Sequence, residues 1–371
     1  MVSLHRAQGT VLSARTLTTG IEELEVELAG RRARALNYPE LTGPAPPGSV
    51  VELNTTAVDL GLGTGGYHFV TAVTEQLTTE RREGATGHIM KLRYTPHQVR
   101  CLAVEEEASP YHTLLREAES LAGLPVVVAE LHSMVAPVAG GVQAAAGPRA
   151  RIVYIMTDAA ALPLAFSRSV PELRAKGLLT ATITCGQAFG GDWEAVNVFS
   201  ALLAARWALQ ADVAIVAMGP GVVGTGTRFG FSGVEQGQIV DAVNVLHGRP
   251  IAVLRLSTAD SRPRHQGVSH HTCTALGRVA QTRSTVVVPR LTDGHLQEEV
   301  YRQLAAAGIT VRHSLVDAPG ELGLELLARL GVPLSSMGRG PQDDLPFFLA
   351  AAAAGWVAGE LVSSGAGAGQ P

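Results

Sequence analysis

Hydrophobic and polar positions follow two different patterns along the chain. Up to about residue 95 the apolar residues come in short runs at 9–14, 22–28, 32–37, 50–54 and 67–73. The stretch Ile21-Glu22-Glu23-Leu24-Glu25-Val26-Glu27-Leu28 settles into the alternation of a strand with one face in a core. Leu28-Ala29-Gly30-Arg31-Arg32 reads as a hairpin turn, and Gly43-Pro44-Ala45-Pro46-Pro47-Gly48 as a loop. Residues 1–95 are therefore expected to form a small N-terminal β-barrel or β-sandwich domain, with no helix before residue 109.

After Tyr94-Thr95-Pro96 apolar runs of strand length alternate with helical patterns. Strands are predicted at 99–104, 125–129, 151–156, 179–184, 212–218, 250–256, 284–288 and 312–316. Helices are predicted at 109–122, 135–146, 161–176, 195–210, 234–246, 272–281, 298–307, 321–330 and 345–360. Ser109 is placed as the N-cap of the first helix, with Pro110 at its first position. Near-continuous apolar strands alternating with helices predict an α/β domain over 96–361. Its parallel sheet would carry helices on both faces, a Rossmann-like three-layer arrangement. The Gly/Ala/Ser-rich residues 362–371 read as a flexible tail.

Composition narrows the class. Of 371 residues 46% are hydrophobic and 17% charged, enough to fill a large core. The net charge of −4, without a basic run, gives no phosphate-neutralising face and argues against nucleic acid as a partner. Cys101, Cys185 and Cys273 cannot pair evenly and form no CxxC, as expected of a reducing cytoplasm. Residues 1–10 lack the pattern of a signal peptide. The apolar stretch 347–358 is about a dozen residues, read as a buried helix too short to span a bilayer, so no membrane partner is expected.

Ligands of open parallel sheets bind beyond the carboxyl ends of the strands, so the residues that follow each strand were compared. They include Glu130, His132 and Ser133; Thr157 and Asp158; 185–194; 219–233; and 257–271. At the opposite edge the connections are short: Ala122-Gly123-Leu124, Gly177-Leu178, Ala211 and Gly248-Arg249. Folding alone does not require that asymmetry, and long loops in compact domains usually carry function.

Three features at this edge hold candidate chemistry. Gly219-Pro220-Gly221-Val222-Val223-Gly224 matches GxGxxG after a strand, but the next helix begins only near Val234. A dinucleotide fingerprint opens its helix directly and has an acidic residue at fixed spacing, which is missing here. An anion cradle is the competing reading, with Gly226, Thr225, Thr227 and Arg228 contributing, as is a loop shaped only by packing. In Asp260-Ser261-Arg262-Pro263-Arg264-His265-Gln266-Gly267-Val268-Ser269-His270-His271, Arg262 and Arg264 can grip an anion, and Asp260 joins them as a candidate ligand-binding residue. Its three histidines suit proton transfer or, with His132, Asp158, Asp192 and Glu194 nearby, metal ligation; capping the following helix explains them equally well.

Asp158 is a candidate general base, metal ligand or helix N-cap. Cys185, before Gly186, is either an activated thiol or a small buried hydrophobe. The metal candidates are His132, Asp158, His270 and His271. Gly61-Leu62-Gly63-Thr64-Gly65-Gly66 reads first as a strand connection.

Several runs carry a family resemblance: Leu53-Asn54-Thr55-Thr56-Ala57, Gly63-Thr64-Gly65-Gly66-Tyr67-His68-Phe69-Val70 and Gly87-His88-Ile89-Met90-Lys91-Leu92-Arg93-Tyr94-Thr95 in the first part. Thr184-Cys185-Gly186-Gln187-Ala188-Phe189-Gly190-Gly191-Asp192, Gly224-Thr225-Gly226-Thr227 and Gly267-Val268-Ser269-His270-His271-Thr272 continue it. Over roughly residues 5–350 the chain resembles an uncharacterised bacterial protein family, a domain of unknown function filling most of the chain. The resemblance implies a bacterial cytoplasmic protein and transfers no activity or cofactor.

Three functional readings follow. The leading one is an enzyme acting on a small anionic or phosphorylated metabolite, with Asp158 and one of His132, His265 or His270 moving protons. Glycines 186, 219, 221 and 224, with Asp192, would shape its ligand site. The alternatives are a non-catalytic nucleotide- or metabolite-binding sensor or assembly protein, and a His/carboxylate metallohydrolase. Homo-oligomerisation is left open.

Overall fold

A computed structural model describes residues 3–63, 65–74 and 87–365. These fall into two compact units. One holds the residues up to 74 with Leu92–Val99, and the other holds 87–91 with everything from Arg100 onward.

In the first unit β1 (Arg6–Thr18), β2 (Ile21–Leu28), β3 (Arg31–Asn37), β4 (Val50–Asn54) and β5 (His68–Val73) form a closed barrel rather than a sandwich. The strand order is β1-β2-β3-β5-β4, and only β3 and β5 run parallel. This is a five-stranded Greek-key barrel, the architecture also used by OB folds. The alternation in β2 sends Leu24 and Val26 inward to Val11, Ala35, Val51 and Leu53. Two one-turn helices, Pro39–Thr42 and Thr56–Asp59, stand where none was expected, because four residues are too few to register a helical period. Gly61, Gly65 and Gly66 take positive φ in the connection before β5.

The second unit is built on eight parallel strands. In chain order they are β8 (Pro125–Val128), β9 (Ile152–Thr157), β10 (Ala181–Cys185), β11 (Trp193–Ala195), β12 (Val213–Met218), β13 (Arg249–Val253), β16 (Thr285–Pro289) and β17 (Ser314–Ala318). In space the order is β11-β10-β9-β12-β8-β13-β16-β17. The short strands β6 (Ile89–Lys91) and β7 (Val99–Cys101) pair apart from this sheet, as do β14 (Leu256–Ser257) and β15 (Gly267–Val268). The predicted strand 99–104 is thus split: 99–101 pairs with β6, and Ala103 only bridges to Glu194 at the edge of the large sheet. The chain passes from β9 outward to β10 but from β12 across to β13, so the strand order reverses between β9 and β12 at the centre. Such a reversal opens a crevice at the carboxyl ends.

Alternate residues of each strand enter different cores. Val127 packs with Val135, Leu327 and Phe347 on one face, while Val126 and Val128 pack with Ile239, Leu276 and Val300 on the other. Each such fully buried aliphatic side chain contributes roughly 1.5–3 kcal/mol, which is why every central strand reads as an unbroken apolar run.

Several predicted helices are shorter or irregular. Residues 109–122 hold only the helix His112–Glu117, and Ser109 Oγ accepts from Tyr111 N in a turn instead of capping it. Only Ser169–Ala175 of 161–176 is α-helical. Helices Val198–Leu203 and His270–Thr274 each continue into one π-helical turn, Ala204–Ala208 and Ala275–Val279.

The apolar stretch near 347–358 belongs to a helix of 19 residues, Leu345–Ser363, which starts where expected and runs three residues past 360. By length it can span a bilayer, yet it is mostly buried against the helix Val135–Ala146 and the sheet. Of the expected tail, 366–371 lie outside the described residues.

These two helices meet at backbone contact. A Cβ on Gly141 would lie 2.0 Å from Ala352 O, and one on Gly355 2.0 Å from Val138 O. Gly141→Ala is expected to lower stability by about 1–3 kcal/mol despite alanine's better helix propensity, read as a lower urea midpoint. A midpoint equal to or above the parent's would contradict this close approach.

Candidate functional site

The carboxyl edge is organised around a buried carboxylate. Glu130 lies two residues beyond β8, and Arg255 two residues beyond the neighbouring β13. Val128 pairs with Ala252 in this parallel register, so the neighbouring strands end within a residue of one another and release the two side chains at the same edge. Arg255 Nη1 donates to Glu130 Oε1 at 2.8 Å, and His271 Nδ1 lies 2.5 Å from the same oxygen. Glu130 is 1% exposed, and its Oε2 has no partner among the described residues. Burial pushes this carboxyl up, but the His271 hydrogen bond and the Arg255 charge outweigh it and hold it below the usual range. Gly233 makes room, since a Cβ there would lie 2.5 Å from Glu130 Cγ.

Around His271 the 260–271 segment folds into a histidine cluster. His265, His270 and His271 each present a ring nitrogen within 4.8 Å of the others. His271 Nδ1–H donating to Glu130 is the tautomer that satisfies the carboxylate, and it leaves Nε2 with a lone pair. Ser269 Oγ holds His265 Nδ1 at 2.7 Å and also caps the helix by accepting from His271 N. The cap is therefore a serine, and the histidines are not needed for it. His270 Nε2 is buried without a hydrogen-bond partner. Burial, with nearby Arg255 and Arg262, pushes His265 down to about 3; burial, His271 and Arg264 bring His270 to about 4. Both imidazoles are neutral at physiological pH.

The glycine-rich loop leans on this cluster. It is a hairpin closed by Thr225 N–Gly230 O at 2.8 Å and Ser232 N–Val223 O at 3.0 Å. Phe231 stacks on His271 with ring centroids 3.8 Å apart, and Gly224 lies against the His271 ring. Thr225 and Thr227 hydroxyls bond each other at 3.0 Å inside the hairpin. Gly219 packs on Ala161 O, Gly221 takes φ +101°, and residues 223–229, Arg228 among them, are exposed. No helix opens on this loop; the next α-helix is Glu235–Val245.

The two arginines of the segment have different fates. Arg262 donates Nε and Nη2 to the two oxygens of buried Asp260, at 2.9 and 2.7 Å, which keeps that carboxyl well below its ordinary range. Arg264 is exposed and has no ion-pair partner among the described residues. Its Cζ lies 3.9 Å from where a Cβ on Gly226 would stand.

Across the strand-order reversal, Glu235 Oε1 accepts from Thr157 Oγ1 at 2.5 Å. Burial drives Glu235 up to about 7, the Thr157 bond opposes this, and neighbouring Asp158 adds to it. Asp158 starts no helix. Its Oδ2 accepts Gln187 N–H at 2.8 Å, and Gly186, at φ +66°, is the residue that lets it approach. Cys185 is buried, which pushes its thiol up to about 12 and leaves it protonated.

Other expected site residues are engaged elsewhere. His132 has both ring nitrogens occupied, Nδ1 by Tyr154 at 3.0 Å and Nε2 by Ser167 at 2.7 Å and Ser169 at 3.1 Å. Asp192 pairs with Arg174 and receives Thr182 N at 2.8 Å. Glu194 pairs with buried Lys91, whose ammonium also reaches Thr184 O and Ala188 O. The structure therefore joins His265, His270, His271 and Arg264, and keeps His132 and Asp158 out of that cluster.

Sequence reasoning did not single out Glu130, Arg255 or Glu235. The available signal was Arg255 as a lone charge inside the apolar run Ile251-Ala252-Val253-Leu254-Arg255-Leu256, which demands a buried partner.

The chain belongs to the DUF3866 family, proteins of unknown function, which it matches over residues 34–355. The family resemblance read from its sequence runs is thereby borne out. No curated protein and no solved structure matches it.

The raised carboxyl of Glu235 has a consequence for stability. Its folded pKa lies above the unfolded value, so its contribution is fully present below about pH 4.5 and is lost as pH rises through about 7. Glu235→Gln removes this penalty, worth roughly 3 kcal/mol at pH 8. The melting temperature of the variant should exceed the parent's at pH 8 by more than it does at pH 5. An equal difference at both would refute the assignment.

Proposed function

We propose that this member of the DUF3866 family is an enzyme acting on a small anionic metabolite, held between the 219–233 hairpin and the 260–271 segment. The observation that carries the reading is the setting of Arg264. It is an exposed guanidinium without an ion-pair partner among the described residues, lying against Gly226 and acting electrostatically on His270. A guanidinium left uncompensated beside neutral imidazoles supplies the bidentate donor set that carboxylates and phosphates require. Arg262 serves differently: its bond to Asp260 shapes the segment and leaves Arg264 as the anion receiver.

Proton chemistry supports an enzyme over a sensor. Glu235, near pH 7 and hydrogen-bonded to Thr157 at the central crevice, is poised to give or take a proton under physiological conditions. Binding alone has no use for such a group.

The test is calorimetric titration with inorganic phosphate, pyrophosphate and small dicarboxylates, followed by a turnover screen of phosphate and carboxylate esters. Arg264→Ala should weaken the anion that binds by at least about tenfold without changing the fold by circular dichroism. Glu235→Gln should bind normally and turn over slowly. Unchanged affinity in Arg264→Ala, or no binding by the parent, rules the proposal out; tight binding without turnover favours the sensor.

A further inference from the structure

We propose that His265, His270 and His271 form a binding site for one divalent transition-metal ion of the zinc class, with a coordination position left for the anionic ligand. The proposal rests on the reading of this edge as the functional site and adds the ion that reading does not name.

Three observations carry it. The ring nitrogens lie within 4.8 Å of one another, although they come from a 3-10 turn (Pro263–His265) and the first turn of a helix (His270–Thr274). Adjacent histidines on a regular helix diverge by about 100°; here the turn brings His265 back to face both. Secondly, the nitrogens not needed for ligation are held. Glu130 fixes His271 Nδ1 at 2.5 Å and Ser269 fixes His265 Nδ1 at 2.7 Å. An imidazole oriented by a carboxylate through its far nitrogen is the usual arrangement behind a metal-bound histidine. Thirdly, the near side is unsatisfied, with His270 Nε2 buried and without a hydrogen-bond partner.

The donor set selects the ion. Three imidazole ligands suit zinc, cobalt or nickel and give no oxygen ligands for calcium or magnesium. Tetrahedral ligation at about 2.0–2.1 Å sets nitrogens roughly 3.4 Å apart, so the rings must close in by about an ångström or more. His270 is the least buried of the three.

Charge then dictates the open position. Arg255 and Arg264 both act on His270, and among the described residues Glu130 is the one carboxylate hydrogen-bonded to the cluster. A dication added to this neighbourhood favours an anion as its remaining ligand.

Titration of the full chain with Co2+ alone tests the site. The expected result is one ion per chain with the intense visible absorption of four-coordinate cobalt. His265→Ala and His270→Ala should abolish it, and Glu130→Gln should weaken affinity roughly 10–100-fold. His270→Ala is the decisive variant if loss of a fully buried partner impairs folding, because His270 is the least buried of the three. Inorganic phosphate should shift the cobalt spectrum in the parent and not in Arg264→Ala. No stoichiometric ion, or binding unchanged in His270→Ala, overturns the metal site even if phosphate still binds through Arg264. Cobalt binding that depends on His265 and His270 but ignores phosphate upholds the metal site and removes the anion reading instead.

Discussion

A strand buried on both faces meets water only at its ends, and in a parallel sheet like ends share one edge. That constraint governs this α/β unit. Val126, Val127 and Val128 are fully buried, as are Ile251, Ala252 and Val253 on the neighbouring strand. Beyond the exposed Arg249 that opens β13, neither strand carries a charge until it leaves the sheet, and both do so at the carboxyl edge, at Glu130 and Arg255. Two charges released side by side into a nearly dry site are stable only when paired and hydrogen-bonded. The pair in turn fixes His271, on which Phe231 stacks, so the hairpin and the histidine segment are both referenced to one carboxylate.

The same constraint explains what could be read from the chain. Strands of the central sheet were legible because both faces demand apolar residues, leaving uninterrupted runs between turn signals. Closure of the first unit into a barrel was not, since alternation reports one buried face and does not say whether the edges join. Short edge elements such as Trp193–Ala195 are below the length at which any period registers. The π-helical turns escaped for a different reason: each still reads as helix by composition.

At the site, legibility followed sequence distance. His265, His270 and His271 lie within seven residues and could be nominated together. Glu130 is 141 positions from His271 and 125 from Arg255, and nothing local links them. His132 and Asp158 looked equally promising on loops of the right edge. Only the fold reveals that Tyr154, Ser167 and Ser169 occupy the first, and that Gln187 and Gly186 enclose the second.

The backbone contact between Val135–Ala146 and Leu345–Ser363 sets a schedule for synthesis. Roughly 200 residues separate the two helices in sequence. At about 5–20 residues per second, a ribosome takes roughly 10–40 s to supply the second after the first. Throughout that interval the helix Val135–Ala146 lacks its long partner, and Phe347 and Phe348, which complete the packing on that face of the sheet, do not yet exist. That face of a nascent chain is therefore completed last, and a product truncated before this helix lacks the side chains that close its core.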